Sequence, residues 1–117
     1  MRIDRMLNMT SDACHYIKFL SLVDAVKFPA LDPIEERLLN YLTLGWYSDK
    51  KMTVLETMKA TPDISPSTVH RRIKTLRKKG LVVLDVDPID NRIKYIVHTD
   101  LTNQYFTQLG QCLYKAI

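Results

Sequence analysis

Basic side chains are concentrated in one segment of the 117-residue chain, where they could bind a polyanion. Between Lys50 and Gly80 nine residues are Lys or Arg and two are acidic, which gives a net charge of +7. The rest of the chain has eight basic and eleven acidic residues, so the overall net charge is only +4. A helix face that is merely solvated could carry the same number of basic residues. The residues around the segment must therefore distinguish an anion-binding surface from a solvated one.

Within this segment, the stretch from Ser65 to Gly80 separates apolar and basic residues as an amphipathic helix does. Val69, Ile73 and Leu76 follow one another at steps of four and three, which predicts a buried edge. A step of about 100° per residue then directs a polar set outward. This set comprises Ser67, Arg71, Lys74 and Lys78, with His70 beside them.

The two ends of this helix suit different contacts with DNA. If the helix belongs to a helix-turn-helix, its first turns enter the major groove and reach base edges. The base-reading candidates are Ser67, Thr68, His70 and Arg71. Arg71 is the strongest of these, because a guanidinium pairs with both O6 and N7 of guanine. Helix capping explains the two hydroxyls equally well, and plain solvent exposure explains the histidine.

The later turns of the helix carry the candidates for phosphate contacts. They are Lys74, Arg77, Lys78 and Lys79. Phosphate contacts supply affinity and salt dependence but little choice of sequence. Cations in the last turn also interact favourably with the helix dipole, so the two roles are compatible.

A second basic site follows in the predicted hairpin. The runs LVVLDVD and RIKYIVH are rich in β-branched and aromatic residues and flank the turn-forming residues 88–91. Arg92 therefore lies near the apex, with Lys94 behind it, and an arginine there suits a narrow minor groove. The alternative is a surface charge paired with Asp87 or Asp90.

The elements around these sites predict a mainly α fold with a small β-hairpin, a winged helix-turn-helix with flanking N- and C-terminal helices. Helical spacing predicts a first helix over residues 11–28, capped by Ser11 or Asp12, and a last helix over 100–117. Asp32 before Pro33, Thr53, and Ser65 before Pro66 are candidate caps of three helices between them. The length predicts one domain over 1–117, with the helix-turn-helix at 53–79 and the wing at 81–98.

The region from Thr53 to Gly110 resembles the winged-helix core of the MarR family of bacterial transcriptional regulators. The run ISPSTVHRRIKTLRKKGLV is similar to the recognition helix and its exit into the wing, and HTDLTNQYFTQLG to the passage that follows. The residues DNR at 90–92 fit the Asp-x-Arg wing tip, which places Arg92 at the position of the family's minor-groove arginine.

The resemblance implies a homodimer that binds double-stranded DNA and regulates transcription in a bacterium or phage. Two recognition helices about one DNA turn apart would read a palindromic operator. The dimerisation helices would be those at 11–28 and 100–117, although the same two helices could instead cover the core of a monomer. Their surplus apolar residues are Tyr16, Phe19, Leu22, Val26, Tyr105, Phe106, Leu109 and Leu113. Only about 18 residues follow Thr99, enough for one helix where the family usually has two, so the usual dimer architecture and the effector pocket near it are not carried over to this chain, and no effector is predicted.

Two other functions fit the same fold. One is a protein-interaction module, such as an anti-repressor or an adaptor, because winged helices serve both purposes. The other is a nucleoid-type protein that binds DNA without sequence choice. The concentrated basic segment and the wing arginine favour specific DNA binding over both.

Catalytic, metal and cofactor sites are not predicted. The chain has no nucleophile elbow, P-loop or dinucleotide fingerprint, and its three His and two Cys lack the spacing of metal ligands. Cys14 and Cys112 are expected to be free, with oxidant sensing at a dimer interface as a minor alternative. No apolar run spans a membrane, and the first twelve residues lack a secretory signal, so we expect a cytoplasmic, nucleoid-associated protein.

Overall fold

A computed structural model describes residues 9–117, which fall into two compact units. One unit comprises residues 29–103, and the other combines the described residues before 29 with residues 104–117. The predicted absence of a secretory signal concerns residues that lie mostly outside the described range.

The described chain contains five helices and three strands. They are α1 (Ser11–Asp24), α2 (Pro33–Tyr47), β1 (Met52–Thr53), α3 (Val54–Ala60), α4 (Pro66–Lys78), β2 (Val82–Val86), β3 (Lys94–His98) and α5 (Asp100–Ala116). This order confirms the predicted winged helix-turn-helix with flanking helices. It differs at one boundary: the first helix ends at Asp24, not at Phe28. The N–H groups of Ala25 and Val26 bond to carbonyls three residues back, which tightens the last turn and stops the helix.

Local capping fixes where the helices of the larger unit begin. Asp32 and Glu35 form a reciprocal capping box at the start of α2, with each side chain accepting the other's backbone N–H at 2.7 and 2.9 Å. Thr53 and Ser65 cap α3 and α4 through their hydroxyls, as predicted. At α1 the cap is Thr10, one residue before the predicted candidates.

The core of the larger unit is built by the apolar faces of α2, α4 and the sheet. Its most deeply buried side chains are Leu38, Leu39, Leu42, Val69, Ile73, Leu76, Leu81, Val82 and Ile96. The three residues from α4 are those that the helical spacing predicted to be buried. Burial of side chains of this size contributes about 1.5–3 kcal/mol each relative to exposure, so this core holds α4 against the rest of the unit.

The sheet has one strand more than the predicted hairpin. β2 and β3 pair in antiparallel register from Val82 opposite His98 to Val86 opposite Lys94. The two-residue strand β1 pairs with the other edge of β3, with Met52 opposite Ile96. Met52 is buried against Gly45 of α2, where a Cβ atom would overlap its Sδ, so the glycine makes room for this strand.

The junction between α4 and β2 is held from two sides. Gly80 adopts a φ of 80°, a left-handed conformation that L side chains rarely take, and so ends the helix as predicted. The hydroxyl of Thr99 donates to the Gly80 carbonyl at 2.6 Å, and that of Thr102 donates to the Leu81 carbonyl. The start of α5 therefore fixes the angle at which the chain leaves α4 for the wing.

The smaller unit is formed by helices with little buried surface. α1 has no buried residue, and Tyr16 and Leu20 expose 60% and 46% of their surface. In the last turns of α5, Cys112 is buried, whereas Leu113 is 55% exposed. Cys14 and Cys112 are both free thiols. No helix within residues 9–117 is long and apolar enough to cross a membrane.

Candidate nucleic-acid interface

The outer face of α4 carries the basic residues that the sequence assigned to DNA. His70, Arg71, Lys74, Arg77 and Lys78 are exposed, while Val69 and Leu76 on the opposite face are fully buried. Within the described part of the chain, none of the four Lys and Arg residues in this set forms an ion pair. Their charges are therefore available to an external anion.

The hydroxyls at the start of α4 belong to a capping cluster. The Ser65 side chain accepts the Thr68 N–H at 3.2 Å and lies 2.8 Å from the Thr68 hydroxyl and 3.3 Å from that of Ser67. Ser67 is exposed, and Thr68 is half-buried. Ser65 is thus the cap of α4, whereas the hydroxyls of Ser67 and Thr68 only contact the cap hydroxyl, and of these two only Ser67 has an exposed side chain.

Lys79 does not lie among the exposed cations. Its Nζ donates to a buried carboxylate oxygen of Glu35 at 2.7 Å and to the carbonyl of Ala30 at 2.6 Å. Its side chain is 30% exposed, so its charge lies at the edge of the larger unit, against the start of α2. Lys79 therefore has a structural contact that the sequence did not predict, and a phosphate contact would have to compete with Glu35 for its charge.

Two further contacts complete this link between α2 and α4. The hydroxyl of Thr75 donates to the second carboxylate oxygen of Glu35 at 2.6 Å. Arg72 Nε lies 2.9 Å from Asp32, an ion pair without the alignment of a hydrogen bond. Burial alone would raise the pKa of Glu35, but the hydrogen bonds from Lys79, Thr75 and the Asp32 backbone hold it below its usual value.

Sequence reasoning missed this set of positioning residues, although a signal was present. Arg72, Thr75 and Lys79 follow one another at steps of three and four, so they form a stripe between the apolar and outward faces of α4. The sequence predicted a capping role for Asp32 and no contact between α2 and α4. The second oxygens of Asp32 and Glu35 face α4, so the same carboxylates that start α2 also orient the basic helix.

A groove runs between α3, α4 and the wing and encloses about 620 Å³. We call it the helix–wing groove. Five basic side chains line it: His70, Lys74 and Arg77 from α4, and Arg92 and Lys94 from the wing. Its remaining surface is mostly apolar, with side chains including Val54, Ile73 and Leu84, and its other polar lining residues are Thr53 and Glu56. The fold thus brings two basic sites that are separate in the sequence to the two walls of one concave surface.

The wing arginine is both paired and exposed. Arg92 Nε and Nη2 each lie 3.0 Å from the carboxylate of Asp90, and 86% of the arginine side chain is exposed. The Arg92 hydrogen bonds lower the pKa of Asp90, and this pairing raises the pKa of Arg92. The alternative of a paired surface charge is therefore present, and the exposed pair orients the guanidinium without burying it, so the predicted minor-groove contact stays a prediction.

The turn between the helices is tied to α2 by a second ion pair. Arg37 of α2 makes a two-point contact with Asp63, with Nη1 and Nη2 at 2.6 and 2.8 Å from the two oxygens. The Arg37 hydrogen bonds keep the pKa of Asp63 below its usual value. The residues 61–65 that set the angle between α3 and α4 are therefore held from outside the turn.

No group of three or more His, Cys, Asp or Glu side chains in residues 9–117 is arranged to hold a metal ion. His98 lies against Trp46, with ring centroids 5.2 Å apart, and the indole N–H donates to the Ile96 carbonyl at 3.0 Å. Both aromatic residues thus serve packing in this part of the chain.

Solved structures with the same fold include several bacterial regulators. The heme sensor protein PefR from Streptococcus agalactiae, in complex with heme, is 23% identical, with 97% of this chain and 73% of that chain covered and a TM-score of 0.61. A mutant of MepR from S. aureus bound to an oligodeoxyribonucleotide is 20% identical, with coverages of 97% and 75% and a TM-score of 0.61. Transcriptional regulator Tm0710 from Thermotoga maritima is 16% identical, with coverages of 97% and 73% and a TM-score of 0.65.

A further structure, described as a MarR-like transcriptional regulator from Thermotoga maritima, is 22% identical over 86% of this chain and 71% of that chain, with a TM-score of 0.62. No protein-family model and no curated protein sequence matches the chain. The chain therefore has the winged-helix fold of MarR-like regulators, which confirms the resemblance at the level of fold. These neighbours are described as a heme sensor and as transcriptional regulators.

Proposed function

We propose that this chain is a sequence-specific DNA-binding transcriptional regulator that acts as a homodimer on a palindromic operator. The observation that carries the proposal is the helix–wing groove, where five basic side chains from two separate elements converge on one surface. A helix-turn-helix uses this arrangement to place its helix in the major groove and its wing in the adjacent minor groove. The protein would work on DNA in the cytoplasm, associated with the nucleoid.

Different residues would supply specificity and affinity. Arg71, exposed in the second turn of α4, would pair with guanine, with Ser67 and His70 beside it. Lys74, Arg77 and Lys78 would contact phosphates. Arg92 would enter the minor groove, held at its base by Asp90. Lys79 is left out of the set because its ammonium is bound inside the unit.

The homodimer rests on the apolar surface of the smaller unit. Tyr16, Leu20 and Leu113 expose between 46% and 60% of their surface, on helices that have little core of their own. Burying such surface against a second copy would gain roughly 25 cal/mol per Å². A two-fold pair would also present two α4 helices, which is what reading a palindrome requires.

The first experiment selects duplexes from a random pool with the purified chain and measures their binding by fluorescence anisotropy between about 50 and 200 mM salt. The proposal expects an enriched palindrome and a steep loss of affinity with salt. Tight binding without enrichment would instead indicate a nucleoid-type protein. Absence of binding at low salt would overturn DNA binding and favour a protein-interaction module.

The second experiment tests the dimer by sedimentation. Leu113→Asp is expected to give a monomer, because it puts a charge into the proposed interface, and to lower affinity for the full palindrome to that for a half-site. Tyr47→Asp is the matched control, because Tyr47 is 91% exposed but belongs to the larger unit. A wild-type chain that sediments as a monomer at micromolar concentration would contradict the homodimer.

A further inference from the structure

The wing turn, residues 87–93, is ordered by its own carboxylates. Asp87 accepts the backbone N–H groups of Ile89 and Asp90 at 2.8 and 2.9 Å with one oxygen and the Tyr95 hydroxyl at 2.8 Å with the other. The Asp87 backbone N–H also donates to the Ile93 carbonyl at 3.0 Å. These contacts within residues 87–95 close the turn and fix the backbone on both sides of Pro88.

The side chain held at this apex is apolar and points into solvent. Ile89 is 96% exposed, the highest value for any large apolar side chain in residues 9–117. It follows Pro88, whose ring restricts the backbone, and its own N–H is bound to Asp87. An isoleucine in this position contributes no burial to the fold, so its apolar surface is free for a partner.

The basic residues near the apex indicate which kind of partner Ile89 could contact. Arg92 and Lys94, from the same turn and strand, line the helix–wing groove opposite Lys74 and Arg77. A partner there must be anionic where it meets the cations and must also accept an aliphatic side chain. The minor groove of duplex DNA satisfies both conditions, because phosphates border it and stacked bases form its floor.

We infer that Ile89 is an apolar wedge that enters the minor groove beside Arg92 and partly unstacks one base step. This inference rests on the proposed DNA binding. It adds a preference of the wing for particular base steps in the bound duplex. Unstacking is easiest at flexible pyrimidine–purine steps such as TpA. The wing therefore selects sites that carry such a step where Ile89 enters and bends the duplex there.

The test uses the full chain and 30-base-pair duplexes built on the palindrome that the wild type recovers, with 2-aminopurine placed in turn at each step beneath the wing. If that selection yields no palindrome, alternating TpA duplexes replace it. Wild type is expected to raise 2-aminopurine fluorescence at one step in each half-site and to prefer TpA over GpG there about fivefold. Ile89→Ala is expected to remove the fluorescence change and to reduce the preference to less than about twofold.

Two further variants show whether the signals depend on an apolar side chain at position 89 or on any loss of apolar surface from the wing. Ile89→Met keeps an apolar side chain of similar length and is expected to restore both signals. Val86→Ala, at a half-exposed position of β2, removes apolar surface from the same wing and is expected to leave both unchanged.

The other outcomes distinguish failure of the wedge from failure of DNA binding. Wild type that binds DNA without any change in 2-aminopurine fluorescence, or Ile89→Ala that behaves as wild type, would refute the wedge and leave DNA binding intact. Wild type that binds no duplex at low salt would refute the proposed function and the wedge together.

Discussion

Lys79 Nζ lies 2.7 Å from an oxygen of Glu35, although the two residues are 44 positions apart. The glutamate side chain is only 3% exposed, and the lysine also binds the carbonyl of Ala30. The preceding residue, Lys78, is exposed and forms no ion pair with any described residue. Two consecutive lysines at the end of one helix thus have different roles, one inside the fold and one facing outward.

The first prediction separates these two roles by the salt dependence of DNA binding. Lys78→Gln is expected to reduce the slope of log affinity against log salt by about one, because a phosphate contact releases a counterion. Lys79→Gln is expected to leave the slope unchanged, because its charge is already neutralised by Glu35. Anisotropy titrations of both variants at four salt concentrations measure this, and equal reductions would show that Lys79 binds phosphate after all.

The same pair makes a prediction about stability. Lys79→Ala leaves the Glu35 carboxylate buried without its cation, so we expect a loss of about 1–3 kcal/mol in the free energy of unfolding. Lys78→Ala, which breaks no contact, is the matched control and is expected to change it by less than about 0.5 kcal/mol. Urea denaturation of the two variants decides, and equal stabilities would contradict the buried role of Lys79.

The lowered pKa of Glu35 predicts how stability changes with pH. A carboxyl whose pKa is lower in the folded chain stabilises the fold above its ordinary value of about 4.3 and loses that contribution as pH falls through the folded pKa. Glu35→Gln is therefore expected to be less stable than wild type at pH 7, with a difference that narrows between about pH 5 and pH 3. Urea unfolding midpoints of wild type and variant across this pH range test the prediction. A difference in stability that does not change with pH would show that the ionised Glu35 carboxylate does not stabilise the fold.

Arg71 is predicted to read bases, whereas its neighbours on α4 bind phosphates. Arg71→Ala should cost about 1–3 kcal/mol in binding free energy on the selected palindrome and clearly less on random duplexes. Lys74→Ala should weaken both kinds of duplex equally. Competition anisotropy with the two duplexes makes the comparison, and an equal loss for Arg71→Ala would remove its base-reading role.

Gly45 is predicted to be required for the third strand. A methyl group there would overlap Met52 Sδ and lie 2.6 Å from its Cε, so Gly45→Ala should cost about 1–3 kcal/mol in unfolding free energy through overpacking. Met52→Ala alone leaves a cavity and should cost about 2–4 kcal/mol. The double variant should cost less than the sum, because the new methyl uses the vacated space. Additive costs in urea denaturation would show that the two sites do not compete for space.

Much of the candidate site follows from the sequence alone. The buried edge of α4 at Val69, Ile73 and Leu76 was predictable, because a fixed rotation per residue assigns each side chain to a face. The caps at Asp32 and Ser65 were predictable because a cap bonds to a backbone group only three residues away. These are local interactions, and the residues that make them lie next to one another in the printed sequence.

The tertiary structure decided the remaining features, which join residues that are distant in the chain. The sequence gives Lys78 and Lys79 the same charge and almost the same position, and only the approach of α2 turns one of them inward. β1 is too short to show a strand pattern, and it exists because β3 pairs with it and Gly45 leaves room for Met52. Pairing across more than 40 residues depends on which groups the whole fold brings together, and no local periodicity encodes that.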